Sequence, residues 1–286
     1  MTTAIILLAM VVMLLLLRLA AWQGLYLGVR LFARSRVRFR RSRTREQLAS
    51  WWASLRSAFP AMTRWLEARL SPSQFEGLPL TLVAIAGVYA AALLGGLVEQ
   101  LLEADDLVRL DEWVNRQLAP LRTDGTLTVF AWLTDLGGSA TFVAVALATT
   151  GLLWTQRRSQ IIAPLWVTII GSQFTTYVGK YVLGRQRPEF VTEVVAATPS
   201  FPSGHATSAM AVYGFIAYIV ARDLAGPRQR FEVIYWTAVG VVLIGFSRML
   251  LSLHYASDVV AGFLVGGFWL LLGIALAEKM GGRGSA

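Results

Sequence analysis

The sequence predicts an all-α, polytopic membrane protein, with a six-helix core preceded by one N-terminal transmembrane anchor. Three observations carry that reading. Of the 286 residues, 56% are hydrophobic, against roughly 45–50% in soluble domains, and mean hydropathy is +0.57. Several apolar runs reach the roughly 18 residues a helix needs to cross a bilayer. The basic residues sit in blocks between those runs, where topology signals belong.

Composition also excludes. The chain has no cysteine, which removes disulfides, thiolate nucleophiles and cysteine metal sites. Two histidines in total leave little for a His-rich metal site, so neither metal nor cofactor is expected. The net charge of +9 would suit nucleic acid, but eight arginines fall between Arg30 and Arg45, directly behind an apolar run. That position serves membrane topology, and no nucleic-acid partner is expected.

Residues 1–29 form the anchor. The apolar run from Ala4 to Leu17 is preceded by Met-Thr-Thr and followed by the arginines, whereas a cleaved signal peptide starts basic. The expectation is a retained helix with its N-terminus outside. Residues 30–78 carry eleven arginines against Glu46, Glu67 and Glu76 and read as a cytoplasmic basic linker. Within it, Glu46 to Leu70 spaces leucine, tryptophan and phenylalanine at helical intervals, which suits a helix at headgroup level.

The core, 79–278, contains runs at about 79–101, 127–155, 160–180, 205–221, 233–251 and 256–277. The second is too long for one straight crossing, so residues 127–136, around Asp135 and Gly137-Gly138, are expected to form a surface turn. Between the first two runs, Leu107, Leu110, Val114 and Leu118 line one face of a short amphipathic helix in an acidic stretch. Residues 279–286 read as a cytoplasmic tail. Placing Arg30–Arg69, Arg157-Arg158, Arg222/Arg228/Arg230 and Lys279/Arg283 inside satisfies the positive-inside rule at each turn. Lys180, Arg185, Arg187 and Arg248 then fall outside, against the rule, which marks them for function.

Those cations belong to two clusters, Lys180 to Pro188 and Ser247 to Asp258, and a third cluster, Pro202 to His205, lies between them. Lys180, Arg187 and Arg248, if brought together, suit a multiply charged oxyanion, with arginine offering a fork for phosphate. Pro202-Ser203-Gly204-His205 precedes a helical run and offers a hydroxyl and free N–H groups at a helix start. His254 and Asp258 lie four apart; on a helix starting near His254 they share a face, and the carboxylate fixes the imidazole tautomer. Taken singly, each histidine reads as a packed or capping residue. Together, two histidines, three cations and a carboxylate make a nucleophile, an acid and an anion cradle.

Lys180-x6-Arg187-Pro188, Pro202-Ser203-Gly204-His205 and Ser247-Arg248-x5-His254-x3-Asp258, separated by 13 and 41 residues, resemble the tripartite signature of the type 2 phosphatidic acid phosphatase superfamily. The resemblance implies that His254 attacks phosphorus to form a phosphohistidine, oriented by Asp258. It implies that His205 protonates the leaving oxygen and then activates water. Lys180, Arg187, Ser203, the Gly204 amide and Arg248 would hold the phosphoryl oxygens, without metal. The implied partner is a membrane lipid or polyprenyl phosphate, with undecaprenyl diphosphate in a bacterial inner membrane preferred over phosphatidic acid, phosphatidylglycerol phosphate or lipid A. A lipid phosphotransferase keeps the same chemistry with another acceptor. A transporter or flippase would place its charges at midplane, whereas here they cluster at run ends. A haloperoxidase shares similar signature chemistry but is expected to be soluble.

Overall fold

The computed structural model describes residues 2–40, 43–71, 77–103, 105–188 and 198–281. Over these residues the chain is all-helical, without a strand. It divides into two compact units, 1–82 and 83–286.

In the first unit, α1 (Thr2–Arg40), α2 (Arg43–Ala58) and α3 (Pro60–Leu70) precede the start of α4 (Leu78–Glu103). The expected anchor is present as an apolar stretch, Thr3–Ser35, long enough to cross a membrane, and its helix continues well past residue 29. The arginine cluster from Arg36 to Arg45 lies outside the described side chains. The expected single helix over Glu46–Leu70 is instead two, α2 and α3. Proline at N1 of α3 lacks an N–H to continue the preceding helix but suits a new first turn. Glu67 joins the pair by accepting from Trp52 Nε1 at 2.9 Å and from Arg56.

The second unit continues with α5 (Asp105–Leu118), α6 (Asp124–Thr134), α7 (Ser139–Thr155) and α8 (Ile162–Leu183). After it come α9 (Gly204–Asp223), α10 (Pro227–Leu250) and α11 (Ala256–Gly281). Among the described residues, six helices are long and apolar enough to cross a membrane, or up to seven if the α6–α7 pair, bent by 44°, is one span. Each apolar run of the sequence therefore has its helix. The end of the core reaches Gly281 rather than 278, and the rest of the tail lies outside the described residues.

Two expectations change. Residues 127–134 are helical, and the break is confined to 135–138, a 3₁₀ turn ending at Gly138. Asp135 and Leu136 of this turn are exposed, as expected of a surface turn, whereas Gly137 is buried and lines the cavity that also holds His205. Tyr213 donates to the Leu136 carbonyl, and Thr141 to the Asp135 carbonyl at 2.6 Å. Irregular backbone among membrane helices persists only where protein or a cavity satisfies it, and here both do. The second change is at the last helix. It begins at Ala256, so His254 precedes it rather than sharing its face with Asp258.

The core of this unit joins Phe142, Ala146, Leu165, Ile169, Phe215 and Ala277 from α7, α8, α9 and α11. Close approach of α9 to α11 depends on Gly262, where a Cβ would lie 2.6 Å from the Ser203 carbonyl oxygen. The Ser203 N–H donates to the Asp258 carbonyl at 2.9 Å, fastening the second signature cluster to the third. At the same end, α8 stops at Gly184, whose φ of 58° is left-handed and whose N–H caps the Lys180 carbonyl at 2.9 Å; glycine adopts that conformation without strain. Arg122, after α5, donates to the terminal carbonyls of α10 at Leu250 (2.9 Å) and Met249 (3.2 Å). Thus the C-termini of α8 and α10 and the N-termini of α9 and α11 are tied together, and the polar clusters sit on these ends.

Candidate active site

His254 lies in the turn Ser252–Tyr255 between α10 and α11, 3% exposed. Its N–H and that of Leu253 donate to the Arg248 carbonyl at 3.2 and 3.0 Å, so the turn is wound on the last turn of α10. The ring is held on both nitrogens. Nδ1 is 3.4 Å from Asp258 Oδ2 and 3.4 Å from Ser200 Oγ. Nε2 is 3.1 Å from Arg187 NH1. A guanidinium only donates, so Nε2 carries the lone pair and Nδ1 carries the proton. Burial pushes this imidazole down to about 4, outweighing the hydrogen bond and charge of Asp258 that favour its protonated form. At neutral pH the ring is therefore uncharged with Nε2 as its basic, nucleophilic atom.

Asp258 is fully buried behind His254. Its Oδ2 accepts from Ser200 Oγ and from the Tyr255 N–H at 2.9 Å, the latter being half of a capping box at the start of α11. Its Oδ1 accepts from Arg185 NH1 at 2.6 Å.

The cations converge as the sequence implied. Arg187 donates through Nε to Thr198 O at 2.8 Å and through NH1 to Leu253 O at 2.6 Å. Lys180 donates to Pro199 O. Arg248, 5% exposed, reaches Thr134 Oγ1 with NH1 at 2.9 Å. Among the described residues, Arg248 Nε is the buried side-chain nitrogen or oxygen without a hydrogen-bond partner. Leaving a buried donor unpaired costs about 1–3 kcal/mol.

That cavity, about 640 Å³, is lined at one end by Lys180, Arg187, Gly204, His205, Arg248 and His254. Its wall descends α8 through Tyr177, Phe174, Gln173, Ile170 and Ile169, a face about 12 Å long at 1.5 Å per residue. Phe174 and Tyr177 are 66% and 62% exposed, so the apolar side is open towards surrounding lipid.

Of the sequence candidates, Lys180, Arg187, Gly204, His205, Arg248 and His254 share the cavity. Asp258 stands behind His254. Ser203 is placed differently: it is fully buried, is absent from the cavity wall, and its Oγ accepts from Ala206 N at 3.5 Å as the N-cap of α9. The loop 189–197 between the first two clusters lies outside the described residues. Sequence reading missed Asp111, Ser200, Ser257 and Thr134, and gave Arg185 no partner. No group of three or more metal-ligating side chains is found among the described residues.

Comparison with known proteins places the chain among membrane lipid phosphatases by similarity. Residues 161–280 match the PAP2 superfamily, a segment that contains all three clusters. The chain is 28% identical over 172 residues to phosphatidylglycerophosphatase B of Bacillus subtilis, covering 59% of this chain and 84% of that protein. It is 29% identical over 173 residues to a lipid A 1-phosphatase of Rhizobium etli, covering 52% of this chain and 70% of the relative. The crystal structure of a transmembrane PAP2-type phosphatidylglycerolphosphate phosphatase from Bacillus subtilis superposes with a TM-score of 0.62 at 26% identity, over 68% of this chain and 96% of that one. With helix bundle, signature clusters and relatives in agreement, residues 161–280 of this integral membrane protein form a PAP2 superfamily domain, akin to those of membrane lipid phosphatases.

Proposed function

We propose that this protein hydrolyses the terminal phosphate of a membrane lipid through a phosphohistidine on His254, with no metal ion. The observation that carries the proposal is the cavity itself. One end holds two histidines and three cations, and the other is an apolar wall open to lipid. In this scheme Arg187 transfers its NH1 donor from Nε2 to a phosphoryl oxygen when substrate arrives, which frees the lone pair for in-line attack. Arg248 and Lys180, which also line the cavity, take further oxygens, and the backbone N–H groups opening α9 add the positive end of a 20-residue helix. His205 protonates the leaving oxygen and, on the return step, takes a proton from water.

Phosphatidylglycerol phosphate is the first reading for the substrate, supported by the name of the 28% identical relative and the 26% identical structure. Undecaprenyl diphosphate, the sequence expectation, is the second. Lys180, Arg187 and Arg248 supply more positive charge than the about −1.5 to −2 of a phosphomonoester, which suits a diphosphate. Purified protein in detergent, offered phosphatidylglycerol phosphate, undecaprenyl diphosphate, phosphatidic acid and lipid A in turn, is expected to release phosphate, fastest from phosphatidylglycerol phosphate. It is expected to do so equally in EDTA. A higher kcat/KM for undecaprenyl diphosphate reverses the order of the two readings. Release only with an added acceptor makes the protein a phosphotransferase, and strict dependence on a metal overturns the mechanism.

We also propose that the site faces the extracytoplasmic side of a bacterial inner membrane, supported by the basic loops at the opposite helix ends. The cysteine-free chain makes the test direct. A membrane-impermeant maleimide is expected to label Asp124→Cys in intact cells and Arg228→Cys only after permeabilisation. Labelling of Arg228→Cys in intact cells rejects this orientation.

A further inference from the structure

Behind the histidine pair lies a second set of buried charges. Asp111 is 1% exposed, whereas the other acidic residues of α5, Asp105, Asp106 and Glu112, are exposed. Its Oδ1 accepts from the Ser257 N–H at 2.9 Å, and its Oδ2 accepts from Ser257 Oγ and from Arg185 NH2, the latter at 2.7 Å. The other arm of the same guanidinium, NH1, donates to Ser257 Oγ at 2.7 Å and Asp258 Oδ1 at 2.6 Å. Its plane lies 4.4 Å over the Tyr255 ring. The side chains of Arg185, Asp111 and Asp258 are 10%, 1% and 0% exposed, so this loop of contacts is shielded from water.

We infer that Asp111 and Arg185 are positioning residues for the catalytic histidine, and that α5 is thereby part of the catalytic apparatus. The inference rests on His254 being the nucleophile. Asp258 touches the ring through Oδ2, and the direction of that oxygen is set by what holds Oδ1. Arg185 holds Oδ1, and Arg185 is in turn fixed by Asp111 at its other arm. Asp111 is seated on the first turn of α11, the turn that carries Asp258 itself. The circuit Asp111–Arg185–Ser257 closes on itself and carries Asp258 on the NH1 arm of Arg185, so rotation of any member of the circuit breaks at least two hydrogen bonds. Charge points the same way. Two carboxylates and one guanidinium sum to −1, which balances the positive charge the imidazole acquires on phosphorylation. Against burial, which lowers it, the Asp258 and Asp111 carboxylates raise the Arg185 pKa, so the guanidinium stays charged throughout turnover. Neither residue lines the cavity, which separates their action from holding phosphate.

The test compares Asp111→Asn, Arg185→Met and the double variant with the parent chain, in detergent, using kcat, KM and orthovanadate inhibition. Misplacing a reacting group by about 1 Å costs on the order of a hundredfold in rate. Each single variant is expected to lose about that much in kcat, while KM and the vanadate inhibition constant hold. The double variant is expected to be no worse than Arg185→Met, because both act through one path. Arg185→Lys keeps the charge but cannot bridge both carboxylates, and is expected to fall between. It also stands in if Asp111→Asn fails to fold. Parent-like kcat in folded Asp111→Asn overturns the inference, as does a loss of vanadate binding equal to the loss of kcat, which is the mark of a merely structural role. If instead His254→Ala keeps its activity, the nucleophile assignment fails, and that control tells the two failures apart.

Discussion

His254→Ala is expected to abolish turnover, lowering kcat by about 10⁴-fold or more on every substrate, as loss of a nucleophile does. No neighbour can replace it. Nε2 is the one ring nitrogen of the buried pair that faces the cations, at 3.1 Å from Arg187 NH1, and Ser200 Oγ is committed to Asp258. Alanine leaves the phosphate cradle of Lys180, Arg187 and Arg248 in place, so vanadate should still bind. The contrast with His205→Ala identifies the roles. That variant keeps the attacking nitrogen and loses the acid, so an aryl phosphate with a good leaving group is expected to phosphorylate it and trap an acid-labile phosphoenzyme. His254→Ala forms none. Near-parental phosphate release by His254→Ala sinks the mechanism, and phosphoenzyme in that variant moves the nucleophile elsewhere.

How far the sequence disclosed this site depends on whether a residue's meaning was local. Membrane runs are local, since a helix that spans lipid must be apolar over its own length. Lys180, Arg187, His205, Arg248 and His254 stood out because each is a charged or titratable group at the end of such a run. The residues that support them are defined by partners far along the chain. Arg185 meets Asp111 across 74 residues and Asp258 across 73, and Thr134 meets Arg248 across 114. One of these did carry a signal. Asp111 falls on the apolar face drawn by Leu107, Leu110, Val114 and Leu118, and a carboxylate on that stripe needs a buried partner. The amphipathic reading of α5 treated it as one more acid in an acidic stretch. Ser203 is a case where the motif does not disclose the side chain's partner. Its motif position is right, but the hydroxyl turns to cap α9, because an N-cap serine satisfies a helix N–H whatever else the loop does. The turn at 135–138 was drawn too wide, because Asp135 and the two glycines after it mark a break without showing that the helix before it runs on to Thr134. Tyr213, on α9, donates to its Leu136 carbonyl, a partner far along the chain.

Asp258→Asn is the sharper chemical experiment, because it changes one atom and leaves the volume. The amide has one acceptor and one donor end, and its surroundings choose which goes where. Arg185 NH1 donates to Oδ1 at 2.6 Å, so the amide oxygen is held there and the NH₂ is forced into the place of Oδ2. That place faces the Tyr255 N–H at 2.9 Å, the Ser200 hydroxyl and His254 Nδ1. The Tyr255 N–H loses its acceptor outright. Ser200 and His254 can answer only by turning acceptors towards the NH₂. For the imidazole this means moving its proton from Nδ1 to Nε2, where the lone pair that attacks phosphorus is lost and an N–H points at the Arg187 guanidinium. A histidine held in the wrong tautomer costs about 10⁴ in kcat in the serine protease triad, and a loss of about 10³–10⁴ is expected here with little change in vanadate binding. With two histidines in the chain, ¹⁵N-histidine spectra can follow the ring directly. The parent is expected to show His254 as the Nδ1–H tautomer, uncharged until the pH falls to about 4, and Asp258→Asn as the Nε2–H tautomer. An Asp258→Asn protein that keeps both the parental tautomer and the parental rate would show that the carboxylate does not orient His254. The same result would remove the reason for Arg185 and Asp111 to matter, because both reach the ring only through Oδ1 of Asp258.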